Sequence, residues 1–310
     1  MVVSQTYQLK DYKTDTHNTW CPGCGDFGIL TSIQMALAEI GVPPHKVAVV
    51  SGIGCSGKAP HYLNAYGFHT LHGRSIPSAT GMKLSNPEMT VIAVGGDGDG
   101  FGIGCGYFVN AGRRNVDFTY LVFDNEVYGL TKGQGSPTMK KGMKAKGMAE
   151  AAVQDNINPL ALAISSGYTF VGRGYALNPK ATAQLIAQAV SHKGTSFIDI
   201  AQTCPVYNDL HTKEYYTDMV EGQPRMYWLE NTDYDAVVHD PTNAGEVVEK
   251  KLQAIGKAYE TGRMPLGCYY KVDVPTFEEQ IAEGRPNGMD SILNPNLWNR
   301  DISKLEAVLR

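Results

Sequence analysis

Long apolar runs are absent. No stretch of about 18 consecutive apolar residues occurs in the 310 residues, so nothing reads as a membrane-spanning helix. The opening residues, MVVSQTYQLKDYKTD, have no apolar core of the signal-peptide kind, and the expectation is a soluble cytoplasmic protein that meets no membrane. Cysteine is sparse, six in all, which is too few for a disulfide scaffold. In a cytosolic chain, neighbouring cysteines read instead as metal ligands or redox groups. Basic blocks are missing and the formal net charge is −4, which argues against nucleic acid as a partner. No internal repeat is visible. With 43% hydrophobic and 19% charged residues, the chain is globular and large enough for one big domain or two.

Glycine is abundant, at 34 residues, and it is concentrated where apolar runs stop. Residues 89–94 form a β-branched run of strand length that halts at Gly95-Gly96-Asp97-Gly98-Asp99-Gly100. A Gly-punctuated segment read as one helix follows. A second strand, 118–123, then ends in Asp124-Asn125. Asp97 and Asn125 thus sit at the carboxyl ends of two strands, where open α/β sheets bind ligands. The glycines let a ligand approach the backbone closely, and the oxygen donors suit Mg²⁺ bridging phosphates. Other phosphate and metal motifs fail here. No G-x-G-x-x-G fits between Gly95 and Gly106, and an EF-hand would need oxygen ligands where Phe101 and Phe108 stand.

Along the rest of the chain, strands and helices alternate, which predicts a doubly wound, mostly parallel sheet. Residues 27–40 have helical spacing with Asp26 as N-cap, and 46–50 read as the first strand. That strand runs into Gly52-Ile53-Gly54-Cys55-Ser56-Gly57-Lys58, a near P-loop in which Ala59 replaces the Mg²⁺-binding hydroxyl. His72-Gly73-Arg74 precedes a helix over 76–84 and offers donors for an anion. Residues 135–155, rich in Lys and Met, read as a solvated mobile loop, with a docking surface as the alternative. Further strands are predicted over 168–171 and 196–200, and helices over 179–192, 244–259 and 303–309. Residues 1–225 are assigned to the sheet domain, and 226–310 to an irregular extension packed on that domain or on a partner.

Cys21, Cys24, Cys55 and Cys204 all lie in turns at element ends, whereas Cys105 and Cys268 read as small buried hydrophobes. Four thiolates at converging strand ends can hold Zn²⁺ or an iron–sulfur cluster, and their spacing does not separate the two.

The motif Gly96-Asp97-Gly98 with Asn125 resembles the GDG…N motif of thiamine diphosphate enzymes. The strings WCPGCGDFG, GIGCSGK, LHGR, GGDGDGFGIG, GRRN, NEVYGLTKGQ and TCP, in that order, resemble the β subunit of 2-oxoacid:ferredoxin oxidoreductases over roughly residues 18–210. The resemblance implies that Asp97, Asn125 and the Val127 carbonyl hold Mg²⁺. It also implies that Ile53, Gly54, Cys55, Ser56, His72, Gly96, Gly98, Asp99, Gly129 and Leu130 line thiamine diphosphate. Lys58, Arg74, Lys132 and His72 would serve substrate and thiazolium, and Cys21, Cys24, Cys55 and Cys204 would ligate one [4Fe-4S] cluster. The implied reaction is coenzyme A-dependent oxidative decarboxylation of a 2-oxo acid, pyruvate or 2-oxoglutarate, with electrons passing singly through the cluster to ferredoxin. Thiamine diphosphate enzymes need a carboxylate at the aminopyrimidine. No Glu here is placed for it, and Glu126 reads as a surface or turn residue. The family puts that Glu on an α (or fused γ-α) subunit, so a heterodimer or dimer of heterodimers is expected. The alternatives are a non-oxidative thiamine diphosphate decarboxylase or ligase with structural zinc, and a P-loop nucleotide-binding module.

Overall fold

The computed structural model describes residues 7–283. Eight strands form one sheet: β1 (Val47–Ser51), β2 (Tyr66–His69), β3 (Thr90–Gly96), β4 (Thr119–Asp124), β5 (Phe170–Tyr175), β6 (Ser196–Ala201), β7 (Met226–Trp228) and β8 (Met264–Lys271). Their order is β7-β8-β5-β6-β4-β3-β1-β2. Every pairing from β5 to β2 is parallel. The β8–β5 pairing is antiparallel, with a bulge between Cys268 and Tyr270, and β7 pairs parallel to β8, so these two edge strands run opposite to the other six. The central strands are buried along almost their whole length and mostly apolar, because both of their faces are covered, as parallel sheets require; Asp199 in β6 is a charged exception. No helix among the described residues is long and apolar enough to cross a membrane.

On one face, helix α1 (Asp26–Ile40) packs beside α2 (Pro179–Ser191), burying Ile29, Ile33 and Leu37 over Val49, Ile92 and Ile198. The other face is an aromatic core. Phe108 stacks on Tyr168 with centroids 4.6 Å apart and meets Phe197 edge-on at 5.0 Å.

Several boundaries differ from the sequence reading, each for a local reason. Asp26 does not cap α1. Gly25 is the N-cap, and Asp26 is the first helical residue, fully buried. The segment after GDGDG is not one helix, because Gly102-Ile103-Gly104 splits it into Asp97–Phe101 and Cys105–Arg114. A Cβ on Gly104 would stand 2.6 Å from the Asp99 carbonyl, so the chain turns back there at a distance only glycine permits. Cys105 opens the second piece half-exposed rather than buried. Strand β5 starts two residues later than the apolar pattern suggests, because Tyr168 is taken into the aromatic core and donates its hydroxyl to the Phe108 carbonyl at 3.0 Å. Beyond residue 225 the chain adds β7, the helix Ala244–Ala258 and β8 to the edge of the sheet. Asn243 caps that helix, accepting from the Gly245 and Glu246 amides at 3.0 and 3.3 Å. The helix expected at 303–309 lies outside the described residues.

Candidate cofactor and thiol site

Strand order reverses at β1 and β3: the chain leaves β1 for β2 on one side and returns to β3 on the other. That switch point opens a crevice at the strands' carboxyl ends. The crevice is the site cavity. Ile53, Gly54, Cys55 and Ser56 enter it after β1, Gly96 to Asp99 after β3, and Asn125, Val127, Gly129 and Leu130 after β4, with His72 closing one side. The sequence reading names nearly all of these. It misses four other lining residues: Phe123, Tyr128, Thr131 and Gln202. Lys58, Arg74 and Lys132 do not line the cavity. Lys58 donates to the Thr19 hydroxyl at 3.1 Å, Arg74 stacks 4.8 Å over the Tyr107 ring, and Lys132 is exposed just past Thr131.

Asp97 is the most constrained group in the cavity. It is 1% exposed, its Oδ2 accepts from the Thr138 hydroxyl at 2.8 Å, and the Ser136 side chain and Asn125 backbone, both close by, favour its charged form. Burial nevertheless pushes its carboxyl above the usual carboxylate range, helped by nearby Glu126. Asn125, at the end of β4, is also buried; its Oδ1 accepts from the Val127 amide at 3.0 Å. A buried carboxylate, an amide oxygen and a turn carbonyl side by side form a hard-oxygen donor set suited to a divalent cation. One further feature fits a bound anion. Ser56 Oγ is buried in the cavity wall without a partner. A Cβ on Gly98 would fall 2.3 Å from the Tyr128 ring, so the backbone must be bare there.

Asp99 plays a part that the sequence does not reveal. Its Oδ1 accepts from the Ile53 amide at 2.9 Å and the Gly73 amide at 2.8 Å, and meets His72 Nδ1 at 2.8 Å. Glycine is required at position 52, because a Cβ there would sit 1.9 Å from Asp99 Oδ2.

Behind Asp97 lies a chain of buried acids. The Thr138 hydroxyl is also 2.9 Å from Asp124 Oδ1. One hydroxyl proton cannot serve two carboxylates. Burial holds the Asp124 carboxyl well above its usual range, with Asp97 and Asp199 adding to the effect. Asp199 is in turn held by Arg173 Nε at 2.9 Å. Glu126 is a turn residue, with φ of 61°, but it is not on the surface: its side chain is 15% exposed and lies 3.2 Å from His211.

Two of the thiols, Cys55 and Cys204, flank Gly129. A Cβ on Gly129 would stand 3.6 Å from Cys55 Sγ and 3.9 Å from Cys204 Sγ. The Cys21–Cys24 turn is tied to both neighbouring loops: Trp20 Nε1 donates to the Cys55 carbonyl at 2.7 Å, and the Gly25 amide donates to the Thr203 carbonyl at 3.1 Å. Burial pushes the Cys24, Cys55 and Cys204 thiols up, Cys55 to about 11, so these sulfurs are thiolates only when a metal takes them. Among the described residues no three His, Cys, Asp or Glu side chains are gathered tightly enough to hold a single ion.

A switch-point crevice is where open α/β sheets bind ligands, and the family matches name the class as thiamine pyrophosphate-binding. Residues 48–200 match the family described as thiamine pyrophosphate enzyme, C-terminal TPP binding domain. Residues 204–285 match the family described as the C-terminal part of the pyruvate ferredoxin oxidoreductase beta subunit. The chain is 52% identical over 279 residues to the 2-oxoacid:ferredoxin oxidoreductase subunit beta of Saccharolobus solfataricus, covering 88% of each. It is 49% identical over 290 residues to 2-oxoacid:ferredoxin oxidoreductase 1, subunit beta, of Aeropyrum pernix, covering 93% of this chain and 88% of that one. A solved 2-oxoglutarate:ferredoxin oxidoreductase from Magnetococcus marinus, with 2-oxoglutarate, coenzyme A and succinyl-CoA bound, superposes with a TM-score of 0.84 at 35% identity. The match covers 99% of this chain and 97% of that one. The chain belongs to the β-subunit family of the 2-oxoacid:ferredoxin oxidoreductases.

Proposed function

We propose that this chain provides the cofactor half-site and the first electron acceptor for coenzyme A-dependent oxidative decarboxylation of a 2-oxo acid, 2-oxoglutarate or pyruvate. It works in the cytoplasm with an α or fused γ-α subunit, as a heterodimer or dimer of heterodimers, and passes electrons to ferredoxin. The observation that carries this reading is the shared wall. Cys55 lines the cofactor cavity and at the same time flanks Gly129 together with Cys204. Whatever the thiols hold is therefore in contact range of whatever the cavity holds.

Asp97, Asn125 and the Val127 carbonyl hold Mg²⁺ in this reading. Their oxygen chemistry supports it, as does the buried charge on Asp97, which a cation offsets. Gly96, Gly98 and Gly129 line the space for the diphosphate, while Ile53, Gly54, Ser56, His72, Asp99 and Leu130 form the walls. Thiamine diphosphate, when bound, supplies the electron sink for decarboxylation. Cys21, Cys24, Cys55 and Cys204 hold a [4Fe-4S] cluster, the one-electron exit. Lys58, Arg74 and Lys132 stand outside the cavity lining but within two residues of it, and supply positive charge for the substrate carboxylate. Among the described residues no glutamate lines the cavity, which supports a second chain completing the site.

The test is copurification with the partner subunit, followed by assay of several 2-oxo acids with coenzyme A and an electron acceptor. The expected complex is brown, bleaches on reduction and is inactive without coenzyme A. A colourless zinc protein that releases CO₂ without an acceptor would refute the reading. So would full activity of this chain alone.

A further inference from the structure

The segment after Lys132 reads from sequence as a solvated loop, yet its inner side is built into the metal-ligand cluster. Thr138 and Ser136 are 4% and 7% exposed, and the Thr138 hydroxyl reaches Asp97 Oδ2 at 2.8 Å across 41 residues of sequence. The Ser136 amide donates to the Glu126 carbonyl at 3.1 Å, beside Asn125. Gly135 pairs with Val127, and Met139 and Ala145 bury their side chains against Val127. All three oxygen donors of the proposed metal site are therefore gripped by, or adjacent to, this one segment. Its far end grips Lys132. A Cβ on Gly147 would lie 2.6 Å from the Lys132 and Gly133 carbonyls, and Lys132 is held at a φ of 82°, a left-handed backbone that costs a non-glycine residue. The outer side is open: Lys140, Lys141, Lys144 and Lys146 are all exposed.

We propose that residues 134–148 are a clasp on the metal–diphosphate site, pinned by the Thr138 hydroxyl on Asp97, so that clasp ordering and cofactor binding form one linked equilibrium. Thr138 is a positioning residue: it fixes the carboxylate's direction and touches neither cofactor nor substrate. Linkage is reciprocal, so whatever loosens the pin weakens cofactor binding, and whatever binds in the site protects the clasp. The inference rests on the Mg²⁺–thiamine diphosphate reading of the cavity.

Two readouts on the purified complex test it, neither requiring turnover. The first is the Mg²⁺ concentration that half-saturates thiamine diphosphate binding, followed by protein fluorescence. The second is the rate of tryptic cleavage at the four exposed lysines, with and without Mg²⁺ and cofactor. In wild type, the bound pair should slow cleavage. Thr138→Val should raise the Mg²⁺ midpoint roughly tenfold, the effect of one hydrogen bond to a charged group, and abolish the protection. Thr138→Ser, which keeps the hydroxyl, should restore both. Gly147→Ala should lose protection while Thr138 is intact. A Thr138→Val complex with the wild-type midpoint, or a clasp equally protected with and without cofactor because a partner covers it, overturns the proposal. Asp97→Asn separates the two levels. If it abolishes Mg²⁺ dependence while Thr138→Val changes nothing, only the clasp fails; if it leaves Mg²⁺ dependence intact, the metal-site reading fails.

Discussion

Substitution of Gly98 by alanine tests whether the bare backbone of the GDG turn is a demand of the site. The new Cβ would stand 2.3, 2.6 and 2.9 Å from three atoms of the Tyr128 ring. Ordinary contact starts at 3.4 Å, so the ring must move by about 1 Å. The ring packs at an angle against His72, with centroids 6.4 Å apart, which blocks that side. The remaining direction is into the cavity it lines. Overpacking of this kind costs about 1–3 kcal/mol. Because the ring is half-exposed and the sheet beneath is untouched, that cost should fall on cofactor binding rather than on folding. Converted at 1.4 kcal/mol per factor of ten, the dissociation constant for thiamine diphosphate should rise about 5- to 150-fold. Calorimetric titration of the complex in saturating Mg²⁺ measures it, with the melting temperature as the control. Tyr128→Ala in the same chain should relieve the clash, so the double variant should lose less than the two single losses added. A Gly98→Ala complex that binds like wild type, or a strictly additive cycle, would refute the reasoning.

Other outcomes follow from the same structure. Arg173→Met leaves Asp199 buried and unpaired and should destabilise by about 3–5 kcal/mol in chemical denaturation, with Asp199→Val recovering part of the loss. Glu278 is buried, and burial lifts its carboxyl above the ordinary glutamate value of 4.5. Its native form therefore binds a proton more tightly than the unfolded chain does. The stability this contributes is present below that ordinary value and is lost as pH rises through the raised one. Glu278→Gln keeps an oxygen for the Asp117 amide and should flatten that slope in denaturation measured across pH. Cys55→Ser should remove the brown chromophore and acceptor reduction together; retention of both would contradict its role as a ligand. Asn243→Ala should cost about 1 kcal/mol, read as a small fall in melting temperature, through loss of the cap on the helix Ala244–Ala258.

What the sequence discloses, and what it hides, divides along a physical line. Asp97, Asn125 and the β1 glycines are legible because strand ends announce themselves: an apolar run stops and glycine begins. The doubly wound sheet is legible for the same reason, since strand and helix periods alternate. Thr138 is not. Its contact with Asp97 spans 41 residues, and a polar loop has neither a register nor an apolar period from which such a contact could be read. Asp26 is misplaced by one position because an N-cap and a first-turn acid look alike without backbone angles. Lys58, Arg74 and Lys132 are named by family motif, which fixes where they fall in the chain but not where long side chains reach. Tyr128 and Gln202 escape because an aromatic or amide after a strand is unremarkable until the cavity is seen.

The three hydrogen bonds at Asp99 Oδ1 make the loops after β1, β2 and β3 a single non-modular unit. Grafting one of these loops from a relative, a common route to altered substrate choice, would pull on the other two through the same oxygen. Redesign of this half-site must therefore exchange residues 52–56, 72–74 and 96–99 as a set, or keep all three. Change is easier to tolerate in segments that Asp99 does not touch.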